Sequence, residues 1–153
     1  ASVPLVGMAI GAGQIARARQ AAWTAAGVAT ALLAVLGLVV TLAPDVWTTL
    51  YTQDPSVRES AASYFLWAGP FYGFFGLGLS LYFSSLGAGK AVGPVIAGAL
   101  RLLVVAVGGS LLAYLQAPSW MIFALVGAGM AIYGLSTVLI IHWTPWGEPA
   151  AKA

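Results

Sequence analysis

Residues 60–90 read SAASYFLWAGPFYGFFGLGLSLYFSSLGAGK, with no charge before the closing lysine. About 20 consecutive apolar residues cross the hydrocarbon core of a bilayer, so this stretch predicts a membrane-spanning helix. In helical steps its small residues Gly69, Gly73, Gly76, Ser80, Ser84 and Gly87 are four, three, four, four and three apart and fall on one face. Helices in lipid associate by close packing rather than by a water-driven hydrophobic effect. The stripe therefore predicts a face set against another helix or a cavity, with Gly69, Gly73, Gly76 and Gly87 as packing positions. The bulky Trp67, Phe71, Phe74, Phe75 and Tyr82 lie largely off it. Pro70 brings no backbone N–H and predicts a kink near the middle.

The rest of the 153-residue chain has the same character: 61% of it is hydrophobic, 7% is charged and the mean hydropathy is +0.95. These values lie outside the range of soluble domains and indicate an integral membrane protein. Upstream of the central stretch, residues 20–42 form a charge-free span, stopped by Pro44. Residues 3–10 are apolar but too short to cross and read as the tail of a preceding helix, from a chain that starts further upstream. Downstream, residues 92–115 and 120–141 supply two more spans, joined by the tight turn Gln116-Ala117-Pro118-Ser119. The expected fold is all-α: a polytopic membrane helix bundle of about four full spans plus the end of a preceding one, a single membrane domain over residues 1–153. Residues 45–59 are the most polar part, with Trp47, Leu50 and Tyr51 suited to the membrane interface. Asp54-Pro55 reads as a helix start, Asp at the N-cap and Pro at the first helical position. The tripeptide Gly-Ala-Gly occurs twice, at Gly11–Gly13 and Gly87–Gly89, each followed by basic residues.

Charge placement sets an orientation. Lys and Arg of short loops are retained on the cytoplasmic side. Arg17, Arg19, Lys90 and Lys152 fall on one side, while Arg58 and most of the acids fall on the other. Both Gly-Ala-Gly loops and the C-terminus are thus expected in the cytoplasm. Trp47, Tyr51, Tyr114 and Trp120 are placed in the outer aromatic belt, and Trp23, Tyr82, Trp143 and Trp146 in the inner one. The net charge of +2 comes from six dispersed basic residues, which excludes a nucleic-acid surface. Gly11, Gly13 and Ala16 match the dinucleotide pattern GxGxxA, but that site also needs an acid about 20 residues later, and residues 20–44 hold none. A lone His142 without cysteine or a second histidine makes no metal site. No Ser/His/Asp set, carboxylate pair or phosphate loop can be assembled, so neither an enzyme nor a cofactor is expected.

Four stretches, LVGMAIGAGQIARARQAAW from Leu5, PDVWTTLYTQDPSV from Pro44, GPFYGFFGLGLSLYFSSLGAGK from Gly69 and GPVIAGALRLLV from Gly93, resemble the C-terminal half of multidrug and toxic compound extrusion (MATE) transporters. The resemblance implies the end of the eighth helix and helices nine to twelve, a partial C-terminal lobe whose partner is the N-terminal lobe of the same transporter. It further implies a secondary active antiporter of the inner (plasma) membrane, exporting cationic or amphipathic drugs and toxic compounds in exchange for H+ or Na+. Many members place an ion-coupling carboxylate in the tenth helix, whereas residues 64–90 hold none, so the coupling ion stays open. The alternatives are a lipid-linked substrate flippase of related fold, or a structural membrane bundle. A flippase needs several basic residues in its cavity, and the spans offer only Arg101.

Arg101 lies about ten residues past Lys90, roughly 15 Å deep in a core of about 30 Å. It shares a face with Pro94, Ala97, Gly98, Val105 and Gly108. Buried intramembrane charges are functional candidates by default, so Arg101 is expected to point into the bundle. Tyr64, Tyr72, Phe75 and Tyr133 are expected to line a cavity that grips cations on aromatic faces, and Ser80 to join them from the small stripe.

Overall fold

The computed structural model describes residues 2–146, all of whose regular structure is helical. The order is α1 (Ser2–Gly11), α2 (Ile15–Leu42), α3 (Pro44–Thr48), α4 (Pro55–Ala68), a single 3-10 turn (Gly69–Phe71), α5 (Tyr72–Gly87), α6 (Val92–Tyr114) and α7 (Ser119–Trp143). By length and apolarity, α2, α6 and α7 can each cross a membrane alone. The central stretch crosses as α4, the turn and α5 in succession, since both helices lie against α2 on one side and α7 on the other. α1 packs on α2 and α5, and α6 packs mainly on α7.

Two boundaries differ from the sequence reading. The first span begins at Ile15 rather than at residue 20, so Arg17 and Arg19 are helical. Long unbranched side chains carry little helical penalty and can reach water from the membrane edge. At the expected kink, Pro70, a 3-10 turn joins α4 to α5 while the flanking backbone stays right-handed helical. Pro70 lacks the N–H that the Leu66 carbonyl would accept in a continuous α-helix, and the chain tightens into a 3-10 turn, with Tyr72 N–H donating to the Gly69 carbonyl.

Both Gly-Ala-Gly segments end their helices identically. Gly13 N–H donates to the Ile10 carbonyl and Gln14 N–H to that of Ala9, at 2.9 and 2.8 Å; Gly89 and Lys90 repeat this to Leu86 and Ser85 at 3.1 and 2.9 Å. This is the Schellman closure, and its left-handed residue is Gly13 (φ 71°) and Gly89 (φ 70°). The same closure ends α6, where a non-glycine, Gln116, takes φ 49°. At the start of α4, the Asp54 carboxylate accepts from the Ser56 N–H at 2.9 Å and the Ser56 hydroxyl at 2.8 Å.

The core sits at one end of the bundle. Val6, Ala9, Ala18, Ala22, Ala26, Leu81, Ile141 and Trp146 pack together there, so the first Gly-Ala-Gly turn and the ends of α5 and α7 share that end. Trp146 is only 6% exposed; it fills this core rather than lying in an aromatic belt. Asp45 and Arg58 pair at 2.8 Å at the opposite end, joining α3 to α4. Trp47 and Tyr51 lie there, exposed, with ring centroids 6.1 Å apart. Lys152 lies outside the described residues.

Candidate functional site

Two glycine-lined crossings hold the broken span in place. On the α2 side, a Cβ on Gly69 would strike the Thr41 hydroxyl and come 2.9 Å from the Gly37 carbonyl oxygen. One on Gly37 would strike the Gly69 carbonyl and come 3.0 Å from Tyr72 Cβ. Thr41 seals this crossing by donating to the carbonyls of Gly37 (2.7 Å) and Phe65 (2.9 Å). Further along the stripe, Gly73 faces Ala34 and Thr30, Gly76 faces Leu33 and Ala29, and Gly87 faces Val3 of α1. On the α7 side, Gly127 accommodates Phe71 and the Trp67 carbonyl, and Gly134 accommodates the backbone of Phe74. Gly37, Gly127 and Gly134 carried no signal in sequence, because each sits in a segment apolar on every side.

On the α6 and α7 side of this span, three residues come together. The Arg101 guanidinium carbon is 5.1 Å from the Phe75 ring centroid and 5.9 Å from that of Tyr133, and the two rings are 6.2 Å apart at 40°. Glycines make the room: a Cβ on Gly78 would come 2.6 Å from the Tyr133 ring, and one on Gly129 would come 2.7 Å from Val105 and 3.7 Å from Arg101 Cγ. Tyr133 is thereby held with 6% of its surface exposed. Beside the guanidinium, Gly98, Arg101, Leu102, Val105 and Val126 line an open recess of about 500 Å³. The arginine hydrogen bonds belong to Arg17, Arg19 and Arg58, so among the described residues Arg101 has neither an acid nor a hydrogen-bond acceptor. Two cation–π contacts of about 0.5–2 kcal/mol each roughly match the ~2.5–3.5 kcal/mol that insertion scales assign to an arginine at mid-helix. They leave its five N–H donors unfilled.

The other expected cavity residues lie elsewhere. Tyr64 on α4 meets Phe123 edge-on at 5.7 Å and has Tyr72 as a neighbour, while Tyr72 also borders the Gly37 crossing. Ser80 lines a separate groove of about 660 Å³ between α1, α2 and α5, walled by Leu5, Ala25, Val28 and Leu32 with Arg17 at its edge. That groove is larger, but its walls hold no aromatic ring, mixing aliphatic residues with Ser2, Gln20 and Thr24, and its one charge, Arg17, is exposed. The six residues therefore form three places rather than one cavity. The faces of Phe75 and Tyr133 are also occupied by the protein's own cation, because Arg101 is long enough to cross from α6 to both rings.

Sequence reasoning missed a second arginine role. Arg19 reaches from α2 to the end of α7, its Nη2 donating to the carbonyls of Ile141 and His142 at 3.2 Å each. A guanidinium at a helix C-terminus meets both the unfilled carbonyls and the negative end of the dipole. His142 contributes its backbone here; its side chain is exposed.

The glycine-lined central crossing inside an apolar bundle whose described regular structure is all helical defines a polytopic membrane protein. A model of the MatE family matches residues 1–112, a stretch that runs from α1 almost to the end of α6. The chain belongs to the MatE family, whose members are membrane transporters. No curated protein and no solved structure matches it.

Proposed function

We propose that the chain forms part of one lobe of a secondary active exporter, which moves amphipathic compounds out of the cell in exchange for H+ or Na+ and is completed by a second lobe. The match to the MatE family over residues 1–112 carries this reading. The Gly/Pro interruption at Gly69–Phe71 supports it, since Gly/Pro-interrupted apolar segments point to the sites of transporters of several folds. Charge placement supports an inner-membrane orientation with both Gly-Ala-Gly turns cytoplasmic. Arg17, Arg19 and Lys90 lie in or beside helix ends away from Asp45, Asp54 and Glu59. The transport test is efflux of a fluorescent amphiphile from proteoliposomes containing the chain together with the lobe that completes it, under an imposed proton or sodium gradient. Gradient-dependent efflux is expected, and its absence under both gradients overturns the reading. The orientation is checked by impermeant labelling of a cysteine placed at Gln53, in the α3–α4 connection. Labelling from the outside is expected; labelling only from the cytoplasm reverses the topology.

A further inference from the structure

We propose that the Arg101 recess binds the anionic head of an amphiphile, so that the substrates of this exporter include molecules with a carboxylate or phosphate at one end and an apolar tail; the substrate role rests on the transport reading above, the binding site does not. The Arg101 Cα is about 14 Å along α6 from Val92, near the middle of the helix. Aromatic faces hold it at 5.1 and 5.9 Å, and no described residue neutralises it. Charged side chains at this depth pair with an opposite charge or face water. The described acids, Asp45, Asp54 and Glu59, all lie in the connection before α4 or in its first turns. The counter-charge or the water that meets Arg101 therefore comes from outside the described residues.

The recess fits an anionic amphiphile. Its floor and sides are Gly98, Leu102, Val105 and Val126, with a volume of about 500 Å³, within the usual range for small-molecule sites. Leu102 on its rim is 70% exposed, so an apolar tail can lie along that side while the head reaches the planar guanidinium. A carboxylate or phosphate fits that fork in two hydrogen bonds. The same arrangement opposes a cationic compound, because a fixed positive charge already covers Phe75 and Tyr133.

The experiment is equilibrium binding of dansyl-undecanoate, a fluorescent carboxylate amphiphile, to the purified protein in phosphatidylcholine nanodiscs, beside its methyl ester and a trimethylammonium analogue. The carboxylate is expected to bind about tenfold to a hundredfold more tightly than either, as expected for loss of a hydrogen-bonded ion pair. Arg101→Gln should abolish that preference and Arg101→Lys should retain part of it. Gly98→Leu keeps the charge but fills the recess, where a Cβ meets only Tyr133 at 3.9 Å; it should weaken the carboxylate by a similar factor, and it decides the matter if Arg101→Gln does not fold. Repeating the titration with phosphatidylglycerol in the nanodisc separates the two sources of the anion: competition assigns the seat to a lipid headgroup, and its lack to a free amphiphile. Equal binding of carboxylate and ester, or an unchanged preference in Arg101→Gln or Gly98→Leu, overturns the proposal. Binding without gradient-driven efflux would refute the transport reading alone.

Discussion

Replacing Gly37 by alanine tests the crossing that holds the broken span. Alanine in a helix interior is normally favoured over glycine by about 1 kcal/mol. At Gly27, ten residues earlier on the same helix, a Cβ meets nothing within 4 Å, so Gly27→Ala should show that gain. At Gly37 the Cβ would collide with the Gly69 carbonyl oxygen and crowd Tyr72 Cβ at 3.0 Å. Neither partner can swing aside, because both are fixed by the backbone at the 3-10 turn, and Thr41 ties the two elements through Gly37 and Phe65. Overpacking of this kind costs about 1–3 kcal/mol. The two alanine variants should therefore differ by about 2–4 kcal/mol in opposite directions. For a chain of this length that is a separation of roughly 4–16 °C in melting temperature. The assay is thermal unfolding of both variants in the same detergent, followed by retention of the monodisperse chromatographic peak. Gly69→Ala should resemble Gly37→Ala, and the double variant should cost less than the sum because one contact is lost once. Equal melting of Gly27→Ala and Gly37→Ala would refute the close crossing.

Arg19→Ala should lower stability by about 1–3 kcal/mol through loss of the charged cap on α7. Arg17→Ala, whose partner is the exposed Gln14, should be nearly neutral, and equal melting of the two removes the cap argument. Gln116→Gly should stabilise by about 1 kcal/mol, since an exposed L-residue is held there at φ 49°; a lower melting temperature would contradict this. Accepting first from the Ser56 hydroxyl and then from its N–H holds the Asp54 carboxyl below its ordinary value of 3.8. The charged form is thus favoured in the folded state, and its contribution is complete above the unfolded value and lost as pH falls through the lower folded one. The stability gap between the wild type and Asp54→Ala should be constant near neutrality and close below pH 3.8, and a gap that widens on acidification would reverse the assignment.

Segments were legible in the sequence because hydrophobic length is a one-dimensional property. The spans, the exposed Trp47 and Tyr51, the Asp54 cap and the disruption at Pro70 all follow from residues within a few positions of one another. The two Gly-Ala-Gly helix ends are equally local, since a left-handed residue and two backbone hydrogen bonds complete them. Contact across the chain was not legible. The small stripe of the central span says that something approaches closely, yet it does not say that Gly37 and Thr41 meet its first glycine. α7 is apolar nearly throughout, so its periodicity could not mark Gly127, Gly129 and Gly134 as a packing face.

The amino-acid sequence by itself thus determined a helical membrane protein, most of its helix boundaries, and the family it resembles. Beyond the small stripe of the central span, tertiary structure decided which faces are inside. Lipid is as apolar as leucine, so hydrophobicity separates core from surface poorly in such a bundle, and shape does the sorting instead. It placed Trp146 in the core instead of a belt, sent Arg19 to the end of α7, and set Ser80 and Tyr64 apart from the arginine. It also laid Arg101 across Phe75 and Tyr133, residues 26 and 32 positions from it in the chain. Those distances close only when α5, α6 and α7 pack, because no local rule brings a cation on one helix to rings on two others.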